Sequence, residues 1–146
     1  MAFPNGSTVT SGLVNRYMGS AGPSGNDSFT TATKVLIDDA VTFVADPNHI
    51  YVATWNTQMS ASASAVLATV SMRWEKGEGP VLPTSNAFLT RVANLGANND
   101  SYHFERCFSN LSGLVTIGIT AFTNTGTATV YGGANGRELL VKDLGL

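Results

Sequence analysis

Charge is scarce in this 146-residue chain: Asp, Glu, Lys and Arg make up 12% of it, about half the usual share of a soluble domain. Eight basic residues against ten acidic ones give a formal net charge of −2, so there is no basic surface on the scale that nucleic acid selects. Cysteine is nearly missing. The single Cys107 excludes an intrachain disulfide, and one Cys with two His cannot build a structural zinc site. Long apolar runs are missing too. The longest, from Leu114 to Ala121, is broken by Thr116, Gly118 and Thr120 and falls far short of the roughly 20 residues that span a bilayer. The opening Met1-Ala2-Phe3-Pro4-Asn5-Gly6 has no basic stretch followed by an apolar one; no secretory signal is expected, and synthesis in a cytosol is. No Ser is framed as Gly-x-Ser-x-Gly, and no Gly-rich run precedes Lys-Ser or Lys-Thr. His103 and Cys107 fall four apart on one extended segment, about 13 Å from each other and too far for a catalytic pair. No enzyme, cofactor or membrane partner is expected.

What is present is a β-sheet pattern. Hydrophobic residues reach 43%, enough for a core, and Ser plus Thr supply about a fifth of the chain. From residue 28 apolar positions recur with period two. Strands are expected over Phe29–Ile37, Ala40–Ala45, Ile50–Gln58, Ala65–Glu75, Ala87–Ala93, Tyr102–Phe108, Leu114–Thr123, Thr127–Tyr131 and Arg137–Asp143. Asp46-Pro47-Asn48, Gly77-Glu78-Gly79-Pro80 and Asn124-Thr125-Gly126 punctuate them as turns. Eight or nine short antiparallel strands without a long amphipathic helix predict an all-β antiparallel sandwich or jelly roll, occupying residues 28–146.

Residues 1–27 read differently, as a Gly/Ser/Asn-rich attachment arm. Within it, Thr10 as N-cap and Gly19 as stop predict a short helix near residues 10–18. Leu13, Val14, Tyr17 and Met18 would share its apolar face and dock on a neighbouring chain; residues 19–27 would be a linker.

The aromatics mark the core and a contact surface. In Ala65–Glu75, Val66, Ala68, Val70, Met72 and Trp74 face one way, which places Trp74 in the core. Ile50–Trp55 is apolar on both faces, and a solvated strand would not be, so Tyr51, Trp55, Tyr102 and Phe104 are expected to serve self-association, most simply as a homotrimer. Low charge favours such packing because there is little to desolvate. Two rival readings use the same residues. Trp55, Trp74 or Tyr102 could form the stacking platform of a carbohydrate-binding module, and Asp38, Asp39 and Asp46 could gather around calcium, against the plainer reading of turn acids.

Two segments carry a family resemblance. Asn5-Gly6-Ser7-Thr8-Val9-Thr10-Ser11-Gly12-Leu13-Val14-Asn15 resembles the opening of small virion proteins of tailed bacteriophages, with Ser11-Gly12 in place of the usual small helix formers. Thr127–Tyr131 with Arg137-Glu138-Leu139-Leu140-Val141-Lys142-Asp143-Leu144-Gly145 is similar to the ending of minor tail or head-surface proteins from phages of actinobacteria, with Lys142 where they mostly carry Glu. The resemblance implies a trimeric virion accessory protein with a jelly-roll body, on the particle surface. A capsid decoration or cementing protein comes first and a minor tail or head-fibre protein next. Its partners would be itself and the major capsid protein or tail proteins. The resemblance implies no catalytic residues.

Overall fold

A computed structural model describes residues 15–133 and 137–146. Every regular element in them is a strand: β1 (Arg16–Ala21), β2 (Asp27–Phe29), β3 (Lys34–Ala45), β4 (Ile50–Ala61), β5 (Val66–Lys76), β6 (Asn86–Leu95), β7 (Asp100–Ser109), β8 (Gly113–Thr123), β9 (Ala128–Val130) and β10 (Arg137–Gly145). All pairings are antiparallel. One sheet runs β1-β10-β4 and continues to β7 on one stretch of β4 and to β9-β2 on another; the second runs β3-β8-β5-β6.

The period-two segments build the space between the sheets. Tyr51, Ala53, Trp55 and Met59 of β4 point inward with Leu139 and Val141 of β10, and meet Val66, Ala68, Val70 and Met72 of β5 and Val115, Ile117 and Ile119 of β8. Residues i and i+2 share a face of a strand, so each of these segments needs only its own alternation to supply one wall. Trp74 keeps the expected face but is half-buried, packed against the core margin. It lies near the end of β5, just beyond a bulge between Met72 and Arg73 where the pairing with β6 shifts.

Three local expectations are corrected. The two strands foreseen at Phe29–Ile37 and Ala40–Ala45 are largely one strand, β3, whose pairing with β8 shifts between Leu36 and Ala40. Because of that bulge Leu36 and Asp39, three apart, both face inward. Alternation in Leu114–Thr123 puts Val115, Ile117, Ile119 and Ala121 inward and Thr116, Gly118 and Thr120 outward, yet that outward side of β8 is not solvated: the three are buried as fully as Val115 and Ile117. The loop over residues 77–85 folds across it and sets Val81 on Gly118, where an added Cβ would lie 2.7 Å from Val81 Cγ2. Threonine hydroxyls fasten the cover, with Thr116 Oγ1 donating to Gly77 O at 2.8 Å and lying 2.7 Å from Thr42 Oγ1.

The third correction is the helix, none of which appears in the described residues. Arg16–Ala21 is the edge strand β1, paired along β10 from Arg16↔Asp143 to Ala21↔Leu139. A two-turn helix gains little by itself in water, whereas the open edge of β10 offers this segment a full hydrogen-bond ladder. Residues 10–14 of the expected helix lie outside the described residues.

Candidate functional site

The strand order brings three groups of side chains together. The first pins β1. Asp143, buried on β10, accepts a hydrogen bond from Arg16 Nη2 at 3.0 Å and from the Gly145 backbone N–H at 2.7 Å, and lies 2.8 Å from His49 Nδ1. Burial alone would raise the Asp143 pKa, but the bonds from His49, Gly145 and Arg16 outweigh it and hold the carboxyl below its usual range. Further along β1, a Cβ on Gly19 would come 2.6 Å from Val41 Cγ1, so β1 lies tight against β3. The start of β1 is therefore held at a fixed point on the rim. Of the expected arm residues, Tyr17 is 61% exposed, and Met18 turns the other way onto the core. They cannot share one apolar docking face as they would on a helix. Leu13 and Val14 lie outside the described residues. β1 lies within the stretch 1–27 assigned to the arm and β2 begins at its last residue, and both are strands of the first sheet.

The second group is an interior ion pair. Asp39, brought inward by the bulge in β3, accepts a hydrogen bond from Trp55 Nε1 at 2.9 Å. Its Oδ1 lies 3.0 Å from Arg137 Nε, both side chains are closed to solvent, and the contact is ionic without a well-aimed hydrogen bond. Burial pushes the Asp39 pKa up to about 6, against the pull of Arg137 and Trp55. Asp46 stands seven residues further along the chain, roughly 20 Å in extended backbone, where its carboxylate caps Asn48 N. The three aspartates do not converge, and the described residues contain no cluster of three metal-ligating groups.

The third group lines a hollow of about 660 Å³ on the first sheet. β10 pairs with β4 as far as Thr57, and β9 takes over only at Met59. Asn56, Thr57 and Gln58 of β4 border the hollow with Ser101, Tyr102 and His103 of β7, Arg137 and Glu138 of β10, and Gly22, Ser24 and Gly133. His103 Nδ1 is 2.6 Å from Asn56 Oδ1, Asn99 Nδ2 donates to Gln58 Oε1 at 3.1 Å, and Tyr102 Oη donates to Asn94 O at 3.1 Å. Thr57 Oγ1 is buried without a partner among the described residues. Sequence reasoning singled out only Tyr102 here; the hollow depends on where two strands end, which residue types do not signal.

Of the residues expected to mediate self-association, Tyr51, Trp55 and Phe104 are buried inside the single chain and Tyr102 is half-buried. The chain's own second sheet occupies the face of β4 that suggested a partner. Tyr51 stacks on Phe108 and Trp55 on Phe104, each at 5.6 Å between ring centroids. The outward face carries the row Tyr17, Lys142, Val52 and Cys107 in register across four strands, with Ile50 42% exposed at its margin.

No family model and no curated protein matches the chain. Its fold resembles that of solved structures at low identity. The structure of infectious bursal disease virus, Gt strain, matches with a TM-score of 0.51 at 12% identity over 88% of this chain and 37% of that one. The Gx strain matches at 0.49 and 12%, over 89% and 36%. A chain from the disulfide-linked pili of Bacillus endospore appendages matches at 0.42 and 12%, over 97% and 98%. The chain thus spans little more than a third of the length of the two viral chains, and what it shares with the first of them is an all-β, sandwich-like fold.

Proposed function

We propose that this chain is a non-enzymatic structural protein of a virus particle, a decoration or cementing protein on the capsid surface of a tailed phage infecting actinobacteria. The strand order β1-β10-β4-β7 facing β3-β8-β5-β6 supports the jelly-roll reading of this antiparallel sandwich. The observation that carries the reading is how β1 is held: Arg16 is locked to Asp143, and Gly19 sits against Val41. Residues 1–14, which hold most of the phage-like opening motif, then act as an attachment arm leaving a rigid body. Leu13 and Val14 supply its apolar contacts to the major capsid protein, and Tyr17 flanks them at the rim. A minor tail or head-fibre protein would use the same parts on tail proteins. Self-association, as a homotrimer, would use the outward row of β1, β10, β4 and β7, with Val52 and Ile50, because Tyr51, Trp55 and Phe104 face the core and Tyr102 is half-buried.

The test is location in intact particles. Gold-labelled antibody against this chain should mark the heads of purified virions of the phage that encodes it, at positions that repeat with capsid symmetry. Labelling confined to tails would move the assignment to the alternative. Absence from purified virions would overturn both.

A further inference from the structure

We propose that β7 is a self-complementary edge through which two copies of this chain pair, antiparallel and about a two-fold axis, into one continuous sheet. The contact stands apart from the virion reading and from the outward row, because it lies on the edge of the first sheet and not on its face. The other sheet edges among the described residues are interrupted, short or covered. β1 pairs with a shift between Tyr17 and Gly19, β6 pairs with a shift between Met72 and Arg73 of β5, β2 is three residues long, and β3 carries its own shift and has Gly19 of β1 against Val41. β7, in contrast, runs ten residues in unbroken register with β4, from Ile50↔Ser109 to Met59↔Asp100, and contains neither Pro nor Gly. Among the described residues it joins no strand on its other side. A long, regular edge of this kind presents a row of backbone donors and acceptors that another strand can take.

Charge complementarity selects a second copy as the occupant and fixes the register. Asp100, Tyr102, Phe104 and Arg106 stand opposite Met59, Thr57, Trp55 and Ala53, all buried, so the four share the inward side of β7. Asp100 and Arg106 are exposed at its margin and form no ion pair among the described residues. Six residues apart on one strand, they stand about 20 Å from each other and cannot pair within the chain. His103 and Glu105, on the outward side, are already engaged by Asn56 and Thr54 of β4. Antiparallel pairing of two β7 strands with His103 on the axis sets Asp100 opposite Arg106 of the second copy, and Arg106 opposite its Asp100. Tyr102 and Phe104 then fall opposite each other between these ion pairs. The two neighbouring registers that keep the faces matched set Asp100 opposite Phe104 or Phe108 instead. Opposite charges and aromatic rings facing each other across a ladder are pairs that stabilise a sheet. Beside this edge the two sheets part around a hollow of about 600 Å³ bordered by Leu89, Ala93, Tyr102 and Phe104, so the pairing covers apolar side chains as well as backbone.

The experiment is sedimentation equilibrium of the full chain, with a reductant that keeps Cys107 a thiol. An association step that doubles the mass, monomer to dimer or trimer to hexamer, should appear at concentrations up to about 100 µM. Arg106→Asp and Asp100→Arg each place like charges opposite one another, and each alone should weaken that step by about tenfold or more. An equimolar mixture of the two variants should associate as the unmodified chain does, because each supplies the charge that the other lacks. The double variant Asp100→Arg with Arg106→Asp should do the same, and it keeps the test decisive if one single variant folds poorly. A chain that shows no mass-doubling step in that range overturns the proposal. So does failure of both the mixture and the double variant to recover the step. A trimer indifferent to both single substitutions also overturns it, and leaves the outward row as the contact.

Discussion

Asp39 is ionised at neutral pH in a place where water does not reach, and Arg137 and Trp55 make that tolerable. Arg137→Met leaves the Asp39 carboxylate buried without its counter-ion, an outcome that costs about 3–5 kcal/mol for buried pairs. Asp39→Leu with Arg137→Met should recover most of the loss, since an apolar pair of similar volume often replaces a buried ion pair without penalty; urea denaturation of the three proteins measures this. The pair also shapes the pH dependence. The folded-state pKa of Asp39 is raised from 3.8 to about 6. Its contribution to stability is therefore fully present below 3.8 and is lost as pH rises through 6. Asp143, held low, acts in the opposite sense, its contribution being lost as pH falls. Carboxyl ¹³C NMR should show Asp39 alone among these titrating near 6, and Asp39→Asn should remove the corresponding decline in stability. Trp55→Ala, which opens a large cavity, should cost about 3–5 kcal/mol, and half-buried Trp74→Ala about 1–3. The inward face of β5 was readable from alternation alone; the depth of Trp74 was not, because distance from a strand's end is a property of the assembled sheet.

At the level of elements, the period-two segments were legible because alternation encodes one wet and one dry face. It misled where that premise failed. On β8 both faces are dry, and the cause is a separate segment, the 77–85 loop, which no pattern within Leu114–Thr123 announces. Gly118 is the seat of that cover. Gly118→Ala should destabilise by about 1–3 kcal/mol through overpacking, and Val81→Ala should relieve part of it; a thermal-melt double-mutant cycle reads the coupling. The short helix misled for a related reason. Weak local propensity is overridden by tertiary partners, and β10 presents an edge that a segment such as Arg16–Ala21 can complete. The pairing partner lies over a hundred residues away in sequence, beyond the reach of any local window.

At the level of the whole molecule, the jelly-roll expectation came from strand number and the lack of helices, whereas the boundary of the arm did not follow from composition. Gly- and Ser-rich sequence marks both a mobile linker and an edge strand that must pass close to its neighbour, as Gly19 does beside Val41. The two deletions should therefore differ. Removing residues 1–14 should leave a folded sandwich that no longer binds particles, as co-sedimentation with undecorated heads would show. Removing residues 1–20 strips most of β1 and the Arg16 bond to Asp143, and should lower the melting temperature as well. Full decoration by the shorter deletion would place attachment on the β-body instead.

The central place of β10 also bears on how the protein is made. Lying between β1 and β4, it is the last of the ten described strands to be synthesised and the one on which the earliest of them depends. While the ribosome still holds residues 137–145, β1 has no ladder to join, Trp55 faces no Arg137-bound aspartate, and the first sheet is split. A chain whose pairings are this non-local folds slowly, and incomplete chains expose strand edges that aggregate. Nascent chains stalled before residue 137 should be protease-sensitive throughout β1 and β4, and protection should arrive in one step once β10 has cleared the exit tunnel.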